Sequence, residues 1–336
     1  MNELNFPLGI LDQSPIVSDA SACDAIDATI ALARRADALG FARFWLSEHH
    51  AMAGLADATP EILIARLSAE TSRIRLGTGG VMLPHTTALK VAETFRMLEA
   101  LAPGRIDLGV GRAPGGSGMV AAALESRDAA QFPRQIVDTI DFLGGTMPAT
   151  HPFARVRAMP RGTTMPQVWL LGSSEYGALL AAELGLPYNY AHFIGGDAPH
   201  ITKLYRDRFV PSMQLAAPRV SIAFAAIIAP TDAEAQALSW PVALWRMRRL
   251  RGIDGPVPSL AETEAYPWTP RERDEAGRTR RTIAAAPANA RRAIDALVTE
   301  YGADEALLVT ITPDYASRVR SFELIAEAYA LARTPV

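Results

Sequence analysis

Short apolar runs alternate with longer segments whose apolar positions recur at helical spacing, and the alternation persists through the chain. LGIL (Leu8 to Leu11) is followed by the turn signal DQSP and then by Ala25 to Leu39, a helical pattern that stops at Gly40. The unit returns as ARFWLS (Ala42 to Ser47) before Pro60 to Ser72, as RIRLGTGGVML (Arg73 to Leu83) before Ala88 to Leu101, and as RIDLGVG (Arg105 to Gly111) before a glycine-rich loop and Glu125 to Leu143. QVWLLG (Gln167 to Gly172) leads into Ser174 to Leu184, LPYNYA into Ala198 to Val210, RVSIAFAAIIA into Asp232 to Leu250, and ALLVTI (Ala306 to Ile311) into Asp314 to Ala332.

Strand-like runs that each carry a helix point to parallel neighbours, because a parallel pair needs a long return connection. Eight such units predict an α/β fold, a (β/α)8 TIM barrel, in preference to an open doubly wound sheet. Such a barrel takes about 250 residues. The 336-residue chain is therefore expected to be a single barrel domain over residues 1–336, with long loop insertions on the C-terminal face near 146–166 and 252–287. Both segments are expected to cover or flank the active face.

Composition narrows the function. Hydrophobic residues at 49% and charged residues at 21% allow a sizeable core, and a net charge of −3 offers no basic excess for a nucleic-acid backbone. Cys23 is the only cysteine, so an intrachain disulfide or multi-cysteine metal site is excluded; this fits a reducing cytoplasm, and the thiol reads as structural. The start MNELNFPLGILDQSP lacks the basic opening and long apolar stretch of a signal peptide, and VSIAFAAIIA (Val220 to Ala229) is too short to cross a bilayer as a helix. Neither nucleic acid nor membrane is an expected partner.

A barrel places its site at the C-terminal ends of the strands, which draws attention to the polar residues after each apolar run. GVGRAPGGSG (Gly109 to Gly118) is no dinucleotide fingerprint, since its third glycine would fall at Pro114. Its glycines instead suit close approach to a flat ligand, with Arg112 making a forked phosphate contact; the competing reading is a surface arginine after a flexible turn. In GSSEYGA, Gly172, Ser173 and Ser174 stand where a strand gives way to a helix N-terminus that favours an anion, although a serine N-cap would explain one hydroxyl. SEHH (Ser47 to His50) offers proton-transfer chemistry, with His49 the stronger candidate and His50 a residue that hydrogen-bonds within its loop. It lacks the HExxH spacing, so no metal is expected, and GSSEY lacks the GxSxG pattern of a serine nucleophile. Gly79 and Gly80 remove two side chains at a strand end, either for approach of a planar ring or for a bulge.

Taken together, LGILDQSP, GFARFWLSEHHA, TSRIRLGTGGVMLPH, LEALAPGRIDLGVGRAPG and LLGSSEYGALLAAELGLPYNYAHF resemble the luciferase-like monooxygenase superfamily, which includes bacterial luciferase and alkane and sulfonate monooxygenases. The resemblance covers roughly the first 200 residues in these motifs and the rest by strand order. It implies a (β/α)8 barrel that binds reduced FMN (FMNH2), to which O2 adds at C4a to give a peroxyflavin that oxidises a small organic substrate. His49 falls on the family's catalytic histidine, Gly79 and Gly80 on a non-proline cis peptide facing the isoalloxazine ring, and Arg112 with Ser173 and Ser174 on the phosphate site. Ser14, Glu48 and His192 are further candidates for substrate or ring contact, His192 standing where luciferase has a tryptophan. Gly111 replaces the luciferase cysteine, which argues against aldehyde luminescence.

The expected activity is a two-component monooxygenase supplied with FMNH2 by a separate NAD(P)H:flavin reductase, because no nicotinamide fingerprint is present. A deazaflavin (F420)-dependent hydride-transfer enzyme and a non-catalytic flavin-binding protein are the alternatives. The resemblance also implies a homo-oligomer.

Overall fold

The computed structural model describes residues 6–113, 116–279 and 281–332. Its frame is eight parallel strands, β1 (Leu8–Asp12), β2 (Arg43–Leu46), β3 (Arg75–Thr78), β4 (Ile106–Gly111), β5 (Gln167–Gly172), β6 (Tyr188–Ala191), β7 (Val220–Ile228) and β8 (Glu305–Val309), each paired with the next. β8 also pairs with β1, Leu8 opposite Ala306, so the sheet closes on itself and has no free edge. The fold is a TIM barrel, as the alternation of apolar runs predicts. Strands buried on both faces need no polar side, which is why β7 reads VSIAFAAII and is buried at every position.

The outer helices are α1 (Ala22–Leu39), α2 (Pro60–Glu70), α3 (Ala88–Leu101), α4 (Phe132–Gly144), α5 (Glu175–Glu183), α6 (Pro199–Arg208), α8 (Pro287–Glu300) and α9 (Tyr315–Ala328); α7 (Asp232–Leu250) has a different place. α1 shows how local sequence sets the limits. Ser21 and Asp24 form a reciprocal capping box at its start, and Gly40 ends it at φ 90°, where a side chain would be strained.

Three expectations need correction. The segment Glu125 to Leu143 is not one helix: Glu125 adopts a positive φ of 49°, Asp128 caps a short 3-10 turn, and α4 begins at Phe132 with Pro133 in the first turn, where a proline is tolerated. The helix that completes the barrel unit after β7 is α8, which the apolar pattern did not disclose. Its buried Ala290, Ile294 and Val298 belong to the main core between sheet and helices. The buried Val242 and Trp245 of α7 instead pack with Val17, Leu55, Val257 and Ile311 in a separate cluster. Thus α7, Leu260–Ala265, Pro270–Thr279 and a short strand, Thr282–Ala285, form an excursion between β7 and α8. Val257 bridges Val17 just beyond β1, and Asp254 receives the Ala53 N–H at 2.8 Å, so the excursion lies over the strand ends. Residues 146–166 do not share that place. As a helix-to-strand connection they run outside α3 and α4, where His151 lies 3.5 Å from Asp138 and Arg96 donates to the Pro160 carbonyl at 2.9 Å.

Inside the barrel a second core of Leu11, Trp45, Trp169, Ala223, Leu307 and Val309 fills the lumen, the two indoles meeting edge to face at 5.4 Å. Beneath them, at the strand starts, Arg43 binds both Asp107 and Glu305 (2.6 Å to the latter), and Asp107 also accepts from Trp45 Nε1 at 2.9 Å and from Arg75 Nε at 2.9 Å. Removing one member strands the rest as unpaired buried charge. Asp107→Ala is expected to cost about 3 to 5 kcal/mol of stability, read from urea unfolding; a loss under about 1 kcal/mol, the range of an exposed pair, would show that the cluster is not a sealed floor. No helix of the described residues is long and apolar enough to cross a membrane.

Candidate active site

Above the tryptophans the barrel opens into a cavity of about 260 Å³. Its walls come from the ends of β3, β4 and β5 and from the segment after β6: Gly79 and Gly80, Gly111 and Arg112, Gly172 to Ser174, and Phe193 with Ile194. Every residue assigned from the sequence to flavin binding is in this one lining. Gly109 and Gly111 lie within β4 itself, so they form barrel wall and not a dinucleotide turn; Pro114 lies outside the described residues.

β3 ends at Thr78, whose hydroxyl donates to the Gly109 carbonyl at 2.9 Å, and the Gly79–Gly80 peptide that follows is cis. Neither glycine has room for a side chain. A Cβ on Gly79 would lie 2.3 Å from Leu11 Cδ1, and one on Gly80 would lie 2.6 Å from the Gly109 carbonyl oxygen and from Leu171 Cδ1. The wall is therefore bare backbone, suited to a flat ring. Opposite it, Ser174 occupies the N-cap of α5 but its side chain makes no cap hydrogen bond, so the bland explanation for this serine does not apply. The Arg112 guanidinium lies 4.3 Å from the ring centre of Tyr176 in the first turn of the same helix, and it has no carboxylate partner among the described residues. Free backbone N–H groups, two hydroxyls and one cation thus face the same space, a donor set suited to a phosphate.

A second, larger cavity of about 580 Å³ adjoins the first, sharing Phe193 and Ile194. It contains His49 and is lined on one side by Trp245, Arg246 and Arg249 of α7. His49 is held from both sides: its N–H donates to the Asp57 carbonyl at 3.1 Å, and its Nδ1 lies 3.1 Å from the Ser47 hydroxyl. Burial, with the charges of Arg249 and His50 adding to it, pulls the ring's pKa down to about 4. The imidazole is therefore neutral near pH 7, with one nitrogen able to give a proton and the other to accept one. Beneath this loop, burial pushes the Asp57 carboxyl up to about 7.

The three further sequence candidates line neither cavity. Ser14 is wholly buried, its hydroxyl accepting from Thr29 at 3.1 Å. Glu48 accepts from the Met82 N–H at 2.8 Å and from His50 Nε2 at 2.7 Å, so it braces the chain just past the cis peptide. The His192 ring turns to Asp197, 2.9 Å away, and its neighbour Phe193 takes the cavity wall. Cys23 is exposed in the first turn of α1, not packed in a core. Sequence reasoning missed Tyr176, Phe193 and Ile194, which follow the glycine and histidine signals by one to four residues, and all of α7's contribution. WRMRRL reads only as a basic helix end until the fold brings it over His49.

The sequence profile of the family described as luciferase-like monooxygenase matches residues 7–323, and the chain belongs to this family. A luciferase-like monooxygenase of Escherichia coli (strain K12) is 36% identical over 329 residues, 96% of this chain and 97% of that protein. An N-acetyl-S-alkylcysteine monooxygenase of Bacillus subtilis (strain 168) is 43% identical over 193 residues, 56% of this chain and 58% of that one. The solved structure of apo-MsnO8 superposes with a TM-score of 0.91 at 37% identity, covering 98% of this chain and 99% of the other.

Two measurements check the site. Gly80→Ala must push Leu171 and the Gly109 backbone apart, and about 1 to 3 kcal/mol of destabilisation is expected in thermal or urea unfolding. For His49, the folded ring holds fewer protons than the unfolded one between pH 6.5 and about 4. Its contribution to stability is thus present above pH 6.5 and lost as pH falls toward 4. An NMR titration of the ring nitrogens with a midpoint near 6.5 would refute the desolvated environment.

Proposed function

We propose that this protein is an FMN-dependent monooxygenase that uses reduced FMN and O2 to oxidise a small organic substrate, with the reduced flavin delivered by a separate NAD(P)H:flavin reductase. The observation that carries the reading is the joining of two cavities, one with a bare glycine wall facing an anion-binding helix end and the other with a neutral buried histidine. The residues fit the cofactor: Gly79 and Gly80 leave space for an isoalloxazine ring, and Arg112, Ser173 and Ser174 with the α5 N-terminus would hold the phosphate. When bound, reduced FMN supplies the electrons that activate O2.

The chain's own residues then have distinct tasks. Phe193 and Ile194 form an apolar partition between ring and substrate spaces and keep water from the reacting atoms. Ser47 fixes the orientation of His49, and when the serine proton goes to the Asp12 carbonyl, 3.4 Å away, Nδ1–H donates to Ser47 and Nε2 is left as the acceptor. A neutral imidazole in that position can move a proton between substrate and cofactor. One relative is named for an N-acetyl-S-alkylcysteine, a thioether, which makes thioethers a sensible first class to screen.

Anaerobic titration with FMNH2, and separately with reduced deazaflavin, tests the assignment. FMNH2 should bind more tightly, and Arg112→Ala should weaken it by about 1.5 to 3 kcal/mol, the worth of a charge-assisted contact. His49→Ala should leave flavin affinity near wild type while slowing substrate oxidation by about a hundredfold or more. Preference for the deazaflavin, or normal turnover by the His49 variant with a true substrate, would sink the corresponding part of the proposal.

A further inference from the structure

The larger cavity carries an imbalance of charge that the flavin reading leaves unexplained. Arg246 reaches into it from α7 and borders a small apolar recess formed by Ala225, Ile227, Val309 and Ile311. It makes no hydrogen bond or ion pair among the described residues. Burial, with the charges of Arg281 and Arg249 adding to it, pulls its guanidinium below the usual arginine range. Arg249 is stacked 5.1 Å from the Trp245 ring centre, and Arg281 donates to the Ile194 carbonyl at 3.1 Å, at the partition between the two cavities.

One acid of the lining, Asp254, offsets the charge of Arg249 but not that of Arg246. Asp254, on the same wall, accepts from the Ala53 N–H at 2.8 Å and the Gly255 N–H at 3.1 Å, and Glu48 is taken by Met82 and His50. A largely buried guanidinium with no carboxylate partner, set beside two more exposed cations, is unfavourable in the free protein. The charge is matched when a ligand supplies the anion. The flavin phosphate cannot be that anion, because its donors line the other cavity.

We propose that the cavity beside His49 takes a small organic anion, a carboxylate or sulfonate, whose charged end is bound by Arg246 and Arg249 and whose apolar body lies against Trp245, Met52 and Phe193. This rests on the monooxygenase reading for its chemistry but not for its binding. Anchoring at α7 leaves the uncharged end of the ligand facing the Phe193–Ile194 partition, so the atom oxidised is remote from the acid group.

The test is calorimetric titration of the flavin-free protein at low salt with matched probes: hexanoate, hexanesulfonate and hexanamide, and phenylacetate with phenylacetamide. At least one anion should bind about tenfold or more tightly than its amide, as expected for a charge-assisted contact. Its carboxylate and sulfonate arms show which oxyanion is preferred. Arg246→Gln, and independently the more exposed Arg249→Gln should Arg246→Gln fail to fold by circular dichroism, should bring anion and amide to parity. Equal binding of every pair by the wild type, or an undiminished preference in the folded variants, overturns the proposal. Anaerobic FMNH2 titration of the same wild-type preparation separates the two readings: anion preference without FMNH2 binding would defeat the cofactor assignment alone, and FMNH2 binding without anion preference would defeat this one alone.

Discussion

The lumen of a closed parallel barrel has to be filled, and here the filling is anchored on one guanidinium. Arg43 leaves the start of β2 with almost no exposure and is shared between Asp107 of β4 and Glu305 of β8, strands well separated around the ring. The same Asp107 receives the Trp45 indole, so the charged floor fixes the aromatic layer above it. Ion pairs this deeply buried are poor sources of net stability compared with apolar packing. Their value is geometric, since the strands can satisfy all the charges together only in one register. With the strand-start end sealed by charge and the middle by Trp45 and Trp169, the space left for ligands is at the strand ends.

From that constraint follows a division of labour between two parts of the chain. The wall assigned to the flavin is made by strand ends and the turns directly after them, elements held by ladders on both sides and by the packed lumen below. The wall assigned to the substrate is shared between the loop after β2, His49 to Leu55, and α7, which rests on its own small cluster with Val17, Leu55 and Ile311 and is absent from the main core. A cofactor common to a family suits the rigid part. Substrate choice suits the excursion, whose sequence can change without disturbing the barrel.

Electrostatics separate the two cavities as clearly as shape does. The smaller one offers a single cation, hydroxyls and a helix dipole; the larger gathers arginines beside a histidine that its burial, with the charge of Arg249 adding to it, keeps neutral. The same guanidinium charge that suits an anionic ligand would make a protonated His49 still less favourable, so ligand binding and the imidazole's proton affinity are coupled through Arg249. Binding an anion next to Arg249 would raise the affinity of His49 for a proton.

Much was legible in the chain before folding. The alternation of apolar runs and helical patterns discloses the barrel because a strand buried on both faces has no other way to read, and bare glycines, Arg112 and the two serines announce themselves by standing where strands must end. Local signals failed where the decisive contact was remote. The apolar stripe of α8, Ala290, Ile294 and Val298, is thin and sits among arginines, whereas α7 is longer and directly follows β7, so the pattern alone favours α7 as the barrel helix. Ser14 and His192 occupy the expected strand ends, but a positive φ at Ser14 and the pairing of His192 with Asp197 turn their side chains away. Period and turn chemistry are written in neighbouring residues, and so the sequence by itself determined the barrel and the glycine-lined wall of the smaller cavity. Which cations face His49 depends on a helix some 200 residues away folding back over the mouth, a long-range packing outcome that only the tertiary structure decided.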